Sequence, residues 1–154
     1  MSNEDPSGCG CPPTSPKVPT INGVHHVFLT VNDIRRSRPF YAALMPRLGY
    51  AGVWEYGSDS LTLGFLGGGG SLWIKQADPR YAGDTFSKDR VGLCEVAFRA
   101  ESREQVDALA RDIEKWGGKI LDLPREYPEY VAGYYAVFFA DPDGIKLEAV
   151  YIPG

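Results

Sequence analysis

The chain has 154 residues, with 16 Lys and Arg against 20 Asp and Glu, a net charge of −4, and 44% apolar residues. The length allows one sizeable core or two small repeats sharing one. The mild acidity lacks the general basic footprint of a nucleic-acid binder, no run approaches the roughly 18 apolar residues of a membrane span, and the apolar content excludes a wholly disordered chain.

Eighteen glycines and twelve prolines make up about a fifth of the chain, against a usual share of roughly 12%, and predict many turns and short strands. Residues 1–20 hold five of the prolines, with Val18 as their one branched apolar residue. Such a segment cannot bury enough surface to offset its ordering entropy and is expected to be a tail. It has no apolar stretch of the signal-peptide kind. Cys9 and Cys11 lie in it and Cys94 in an apolar run. An odd count without a framework points to a reducing compartment, hence the cytoplasm. Cys-Gly-Cys could hold a metal or be two solvated thiols.

From residue 21 the elements follow in order. Val24 to Val31 is β-branched and aromatic and reads as a strand. Ile34 to Leu48 has near-helical apolar spacing, but Pro39 and Pro46 predict a kink or a late start near Ser37. Ala51–Tyr56, Leu61–Leu66 and Ser71–Lys75 read as strands, with Gly67 to Gly70 as a turn, and Gln76 to Arg90 as a polar linker. Leu93 to Ala100 is the next strand. Ser102 opens a helix with Gln105 as its capping-box partner, and Val106, Leu109, Ala110, Ile113 and Trp116 form the apolar stripe. Lys119–Leu123, Tyr134–Ala140 and Ile145–Tyr151 are the last strands, with a loop over Pro124–Gly133.

The order β-α-β-β-β therefore occurs twice, in modules spanning residues 23–76 and 91–152. His26 aligns with Glu95, and Ile74 with Glu148. The expected fold is α+β, two tandem βαβββ modules forming a curved mixed sheet around a cup. Side chains alternate along a strand. His25, Val27, Leu29 and Val31 should face the helix, and so should Cys94, which would make it an inert core thiol. The opposite faces carry His26, Phe28, Glu95, Arg99, Lys146 and Glu148. These groups either converge on one concave surface or are simply solvated.

His26-Val27-Phe28-Leu29-Thr30-Val31-Asn32-Asp33, then Phe40-Tyr41 and Leu48-Gly49, and the closing Asp141-Pro142-Asp143-Gly144-Ile145-Lys146-Leu147-Glu148 resemble the vicinal oxygen chelate superfamily of glyoxalase I, bleomycin-resistance proteins and extradiol dioxygenases. The resemblance implies a cup in which metal-using members hold a divalent ion by one residue from the first and last strand of each module. By position these are His26, Ile74, Glu95 and Glu148. Ile74 cannot ligate, which leaves His26, Glu95 and Glu148 as metal ligands for Zn²⁺, Ni²⁺, Mn²⁺ or Fe²⁺. Glu148 or Glu95 would then double as the catalytic base. Phe28, Arg99, Tyr127, Tyr130 and Lys146 are the expected small-molecule contacts. Two function classes stay open: a metal-dependent isomerase, lyase or oxygenase acting on vicinal oxygens, and a metal-free binding protein of the resistance type in which Arg99 or Lys146 neutralises the carboxylates. Family habit and sheet edges that need covering imply a homodimer.

Overall fold

A computed structural model describes residues 23–154 apart from 58, 60, 68 and 69. The proline-rich segment over 1–20, with Cys9 and Cys11, lies outside the described residues. The repeated order holds. The first module is β1 (His26–Val31), α1 (Ile34–Arg47), β2 (Gly52–Tyr56), β3 (Thr62–Gly67) and β4 (Gly70–Gln76). The second is β5 (Val96–Arg99), α2 (Arg103–Asp112), β6 (Lys119–Glu126), β7 (Tyr135–Ala140) and β8 (Lys146–Tyr151). Each module closes a four-stranded mixed sheet, β1-β4-β3-β2 and β5-β8-β7-β6, whose first and last strands run parallel.

The late start predicted near Ser37 gives way to packing. α1 starts at Ile34, where the Asp33 carboxylate accepts from the N–H groups of Arg35 and Arg36, and it runs through both prolines to Arg47. Ile34, Ser37, Phe40, Tyr41, Leu44 and Met45 are all buried. A core face that wide outweighs the hydrogen bonds the prolines remove. α2 is capped as its sequence predicts, with Gln105 N–H donating to Ser102 Oγ at 3.2 Å.

One apolar core serves both modules. Leu29, Val31, Phe40, Leu44, Phe65 and Ile74 pack in the same cluster as Phe98, Leu109, Ile113, Phe139 and Leu147. The Asp141–Gly144 turn locks the modules together. Asp141 is buried, accepts the Tyr41 hydroxyl at 2.9 Å, and accepts the N–H groups of Asp143 and Ile145 at 2.9 and 2.8 Å. Asp143 accepts the Asn32 backbone N–H at 3.0 Å and pairs with Arg36. The Asp-Pro-Asp-Gly motif is thus a latch between α1 and the β7–β8 turn. Burial pushes the Asp141 carboxyl up to about 6 and, with the Asp141 charge beside it, raises the Tyr41 hydroxyl too.

Two boundaries move most. β5 begins at Val96, so the alternation does not extend back to Cys94, which is exposed rather than a core thiol. β6 continues through Pro124 to Glu126, with breaks in register on either side of Asp122. Extra residues on one strand reverse the faces of those that follow, which sets Asp122 opposite Phe138 and Arg125 opposite Ala136. The Gln76–Arg90 linker contains a short 3-10 turn over Pro79–Tyr81.

Candidate functional site

Each sheet has a second face, turned away from its helix, and strand register places its residues in rows. In the first module Phe28 sits opposite Trp73, Trp73 opposite Gly64, and Gly64 opposite Trp54. In the second the same row reads Ala97, Glu148, Phe138 and Asp122. One row toward the strand start, His26 faces Ser71. Stepping back once from the Val96–Leu147 pair sets Glu95 beside Lys146.

This register corrects the alignment of Ile74 with Glu148. Trp73 is the counterpart of Glu148. Ile74 is fully buried on the helix side, opposite Leu29. A slip of one residue moves a side chain to the other face of a sheet. The faint similarity of β4 and β8 could not fix that register.

The first module's second face is aromatic. Phe28 stacks on Trp73 with ring centres 5.5 Å apart, and Trp73 Nε1 donates to Ser71 Oγ at 2.9 Å. The Trp73 ring occupies the space above Gly64, where a Cβ would lie 2.6 Å from ring carbons. Phe28 is 49% exposed and Trp54 61%. His26 is exposed and its Nδ1 lies 3.0 Å from His25 Nδ1, so one ring nitrogen donates to the other.

The second module's face is polar and largely closed. Glu148 is 2% exposed, and its Oε1 accepts the Tyr134 hydroxyl at 2.5 Å. Glu95 Oε2 lies 2.5 Å from Lys146 Nζ. The ammonium stands off the hydrogen-bonding direction of that buried oxygen, so the contact is an ion pair without an aligned hydrogen bond. Lys146 Nζ also sits 4.4 Å from the Phe138 ring centre, a cation–π contact. Burial raises the Glu148 carboxyl above its ordinary range. Donation by Tyr134 and the Lys146 charge oppose that rise, and the Glu95 charge adds to it. Burial and the Glu148 hydrogen bond hold the Tyr134 hydroxyl protonated well above its ordinary value.

Tyr127 is buried and stacks on exposed Tyr130, with ring centres 5.7 Å apart, and its hydroxyl donates to Asp122 at 2.7 Å. Tyr127, Ala136, Phe138 and Val150 form a separate apolar cluster beside the polar group. Arg99 is exposed, opposite Val150. Tyr134 belongs to the aromatic supply the sequence offers for the cup walls but not to the expected contacts. Its parity with Ala136 and Phe138, one residue ahead of β7, is the signal that finds it.

A cleft of about 480 Å³ separates the two modules. His26 and Ser71 line it from the first, and Glu95 and Ala97 from the second. Lys146 and Glu148 lie one strand further on, in β8. The predicted ligands therefore come only partly together. His26 and Glu95 share the cleft, and Glu148 neighbours Glu95, but among the described residues no three His, Cys, Asp or Glu side chains converge as a metal-holding group. A divalent ion would have to strip Lys146 from Glu95 and Tyr134 from Glu148, and the fourth position offers an indole. These residues do not fit a resident metal ion.

Residues 23–149 match the model of the Glyoxalase/Bleomycin resistance protein/Dioxygenase superfamily, and the chain belongs to that superfamily. It is 35% identical over 127 residues to the uncharacterized Bacillus subtilis protein YqjT, covering 82% of this chain and 97% of YqjT. Among solved structures it is similar to a glyoxalase/bleomycin resistance protein from Albidiferax ferrireducens, with 26% identity, a TM-score of 0.69, and coverage of 83% of this chain and 98% of that one. It is likewise similar to a glyoxalase/bleomycin resistance protein/dioxygenase domain from Frankia, with 27% identity, a TM-score of 0.68, and coverage of 87% and 100%. No helix among the described residues is long and apolar enough to cross a membrane.

Proposed function

We propose that this superfamily member is a metal-independent small-molecule-binding protein that works as a cytoplasmic homodimer. The observation that carries the reading is the Lys146–Glu95 ion pair beside a Glu148 already held by Tyr134. A carboxylate pair that shares an internal cation has little left to offer a second one. The ligand is a flat, partly aromatic molecule, since Phe28 and Trp54 present exposed ring surface. In the homodimer this aromatic face of one protomer covers the polar face of its partner. Exposed aromatic surface of this kind marks an interaction site.

Elemental analysis of protein purified without chelator tests the reading. It predicts substoichiometric metal, and a stoichiometric divalent ion would overturn it. A second reading, a proton-transfer enzyme, is favoured by one observation: burial raises the Glu148 carboxyl toward the range in which a base is useful. On that reading the Glu148 carboxylate takes a proton from a bound carbon or oxygen acid on Oε2, while the Tyr134 hydroxyl donates to Oε1. Glu148→Gln separates the two readings, because it abolishes turnover yet leaves ligand binding within a few-fold.

A further inference from the structure

We propose that residues Tyr127–Tyr134, which join β6 to β7, are a lid shut over the second module's second face, and that a ligand reaches Glu148 and the floor around it only when this lid lifts. The proposal rests on the small-molecule-binding function and adds how that site is opened.

The repeat supplies the first observation. The first module joins β2 to β3 through 57–61, which hold no aromatic residue, and Trp54 on the strand before them stays exposed. The second joins β6 to β7 through 127–134, which hold three tyrosines. Register sets Val150 opposite Ala136 on the second face, next to the Glu148–Phe138 pair. All four are buried. Their cover is the rings of the loop. Tyr127 meets the Phe138 ring edge-on with centres 5.2 Å apart and clusters with Ala136 and Val150, and the Tyr134 hydroxyl donates to Glu148. The face that stays open in one copy is filled from within in the other.

The second observation is how the loop is held. Tyr130 stacks on Tyr127 and meets Tyr134 edge-on at 5.2 Å, and the Arg125 guanidinium lies 3.8 Å from the Tyr127 ring centre. Tyr127 N–H donates to the Tyr134 carbonyl at 2.8 Å and closes the base of the loop. The apolar cluster beneath is separate from the core that the two modules share. A segment packed on its own small cluster opens for less free energy than global unfolding requires. The hinge is the return at Gly133, where φ is +80° and a Cβ would lie 2.7 Å from the Pro153 ring.

The test is thiol labelling of the full chain carrying Val150→Cys, a small change on the floor beneath the lid. N-ethylmaleimide is the probe, read by mass spectrometry at residue 150 to separate it from the native cysteines. Position 150 should react at least about tenfold more slowly than the exposed Cys94 of the same chain, yet faster than the chain unfolds. Adding Tyr134→Phe should speed labelling about fivefold to tenfold, the factor that one hydrogen bond controls. Adding Tyr130→Ala should speed it without a matching rise in the rate of global unfolding. Labelling at the rate of global unfolding, unmoved by either lid variant, overturns the proposal, because the loop is then a fixed part of the sheet. Labelling as fast as at Cys94 overturns it too, because the face then stands open. Neither result touches the binding function, which falls separately if the purified protein holds a stoichiometric divalent ion. If Val150→Cys does not fold, hydrogen exchange at the Tyr127 amide of the otherwise natural chain is held to the same outcomes, with the amides of β7 as the reference for unfolding.

Discussion

The two modules share a fold and differ in how they finish the same surface. On the central row the first places Phe28, Trp73, Gly64 and Trp54, and the second Ala97, Glu148, Phe138 and Asp122. Large and small alternate out of step. Trp73 needs glycine beside it because its ring takes the space a Cβ would fill, whereas Phe138 stands at the equivalent of Gly64 and supplies the ring face for Lys146. The first face is apolar and exposed at Phe28 and Trp54, and the second is charged, ion-paired at Glu95 and closed over Glu148. Duplication fixes the backbone. A few substitutions on one face decide which copy offers contact surface and which holds ionisable groups.

The largest expected effect concerns the latch between the copies. The folded-state value of Asp141 is raised, from 3.8 to about 6, chiefly by burial. Its contribution to stability is therefore fully present below pH 3.8 and is lost as pH rises through about 6. The size is on the order of 3 kcal/mol. Asp141→Asn keeps one oxygen for the N–H groups of Asp143 and Ile145 and turns its amide to Tyr41 Oη. Denaturant melts from pH 4 to 7 should show that this variant lacks a decline present in wild type, and parallel curves would break the latch account. Gly64→Ala comes next. Its Cβ displaces the Trp73 ring, for a loss of about 2–3 kcal/mol, read as a lower denaturation midpoint.

Lys146→Ala removes one partner of a partly exposed ion pair and leaves a buried carboxylate oxygen uncompensated. The loss is about 2 kcal/mol, below the value for fully buried pairs. Tyr134→Phe withdraws the donor to Glu148 and costs about 1–2 kcal/mol. Trp54→Ser on the exposed face should change protomer stability by less than about 0.5 kcal/mol yet weaken association, seen by light scattering as dissociation at higher concentration than wild type. Unchanged association would show that the aromatic face is not the dimer contact.

Much of this comparison is legible in the sequence. The βαβββ order, the Ser102 cap, the buried positions of Leu29, Val31, Val106 and Leu109, and the placing of His26, Phe28, Glu95, Lys146 and Glu148 on second faces follow from period and capping chemistry. What is not legible depends on pairing between strands. Letters align Ile74 with Glu148, while register aligns side chains, and only the Phe28–Trp73 and Ala97–Glu148 pairs reveal Trp73 as the counterpart. Alternation alone puts Cys94 in the core, because an apolar run hides where a strand begins. The breaks in β6 that bring Asp122 and Arg125 to one face leave no mark in composition. The Asp-Pro-Asp-Gly motif was visible, but its work as a latch depends on Tyr41 and Asn32, about a hundred residues away in the chain.

The most direct test of the central claim, that the second module neutralises its own carboxylates and needs no metal, is the melting temperature of the wild-type protein in chelator and then in excess Mn²⁺, Fe²⁺, Ni²⁺ and Zn²⁺ in turn. The account predicts the same melting temperature in all five conditions. A rise with any one ion that grows with its concentration, as binding to the folded state requires, would contradict it.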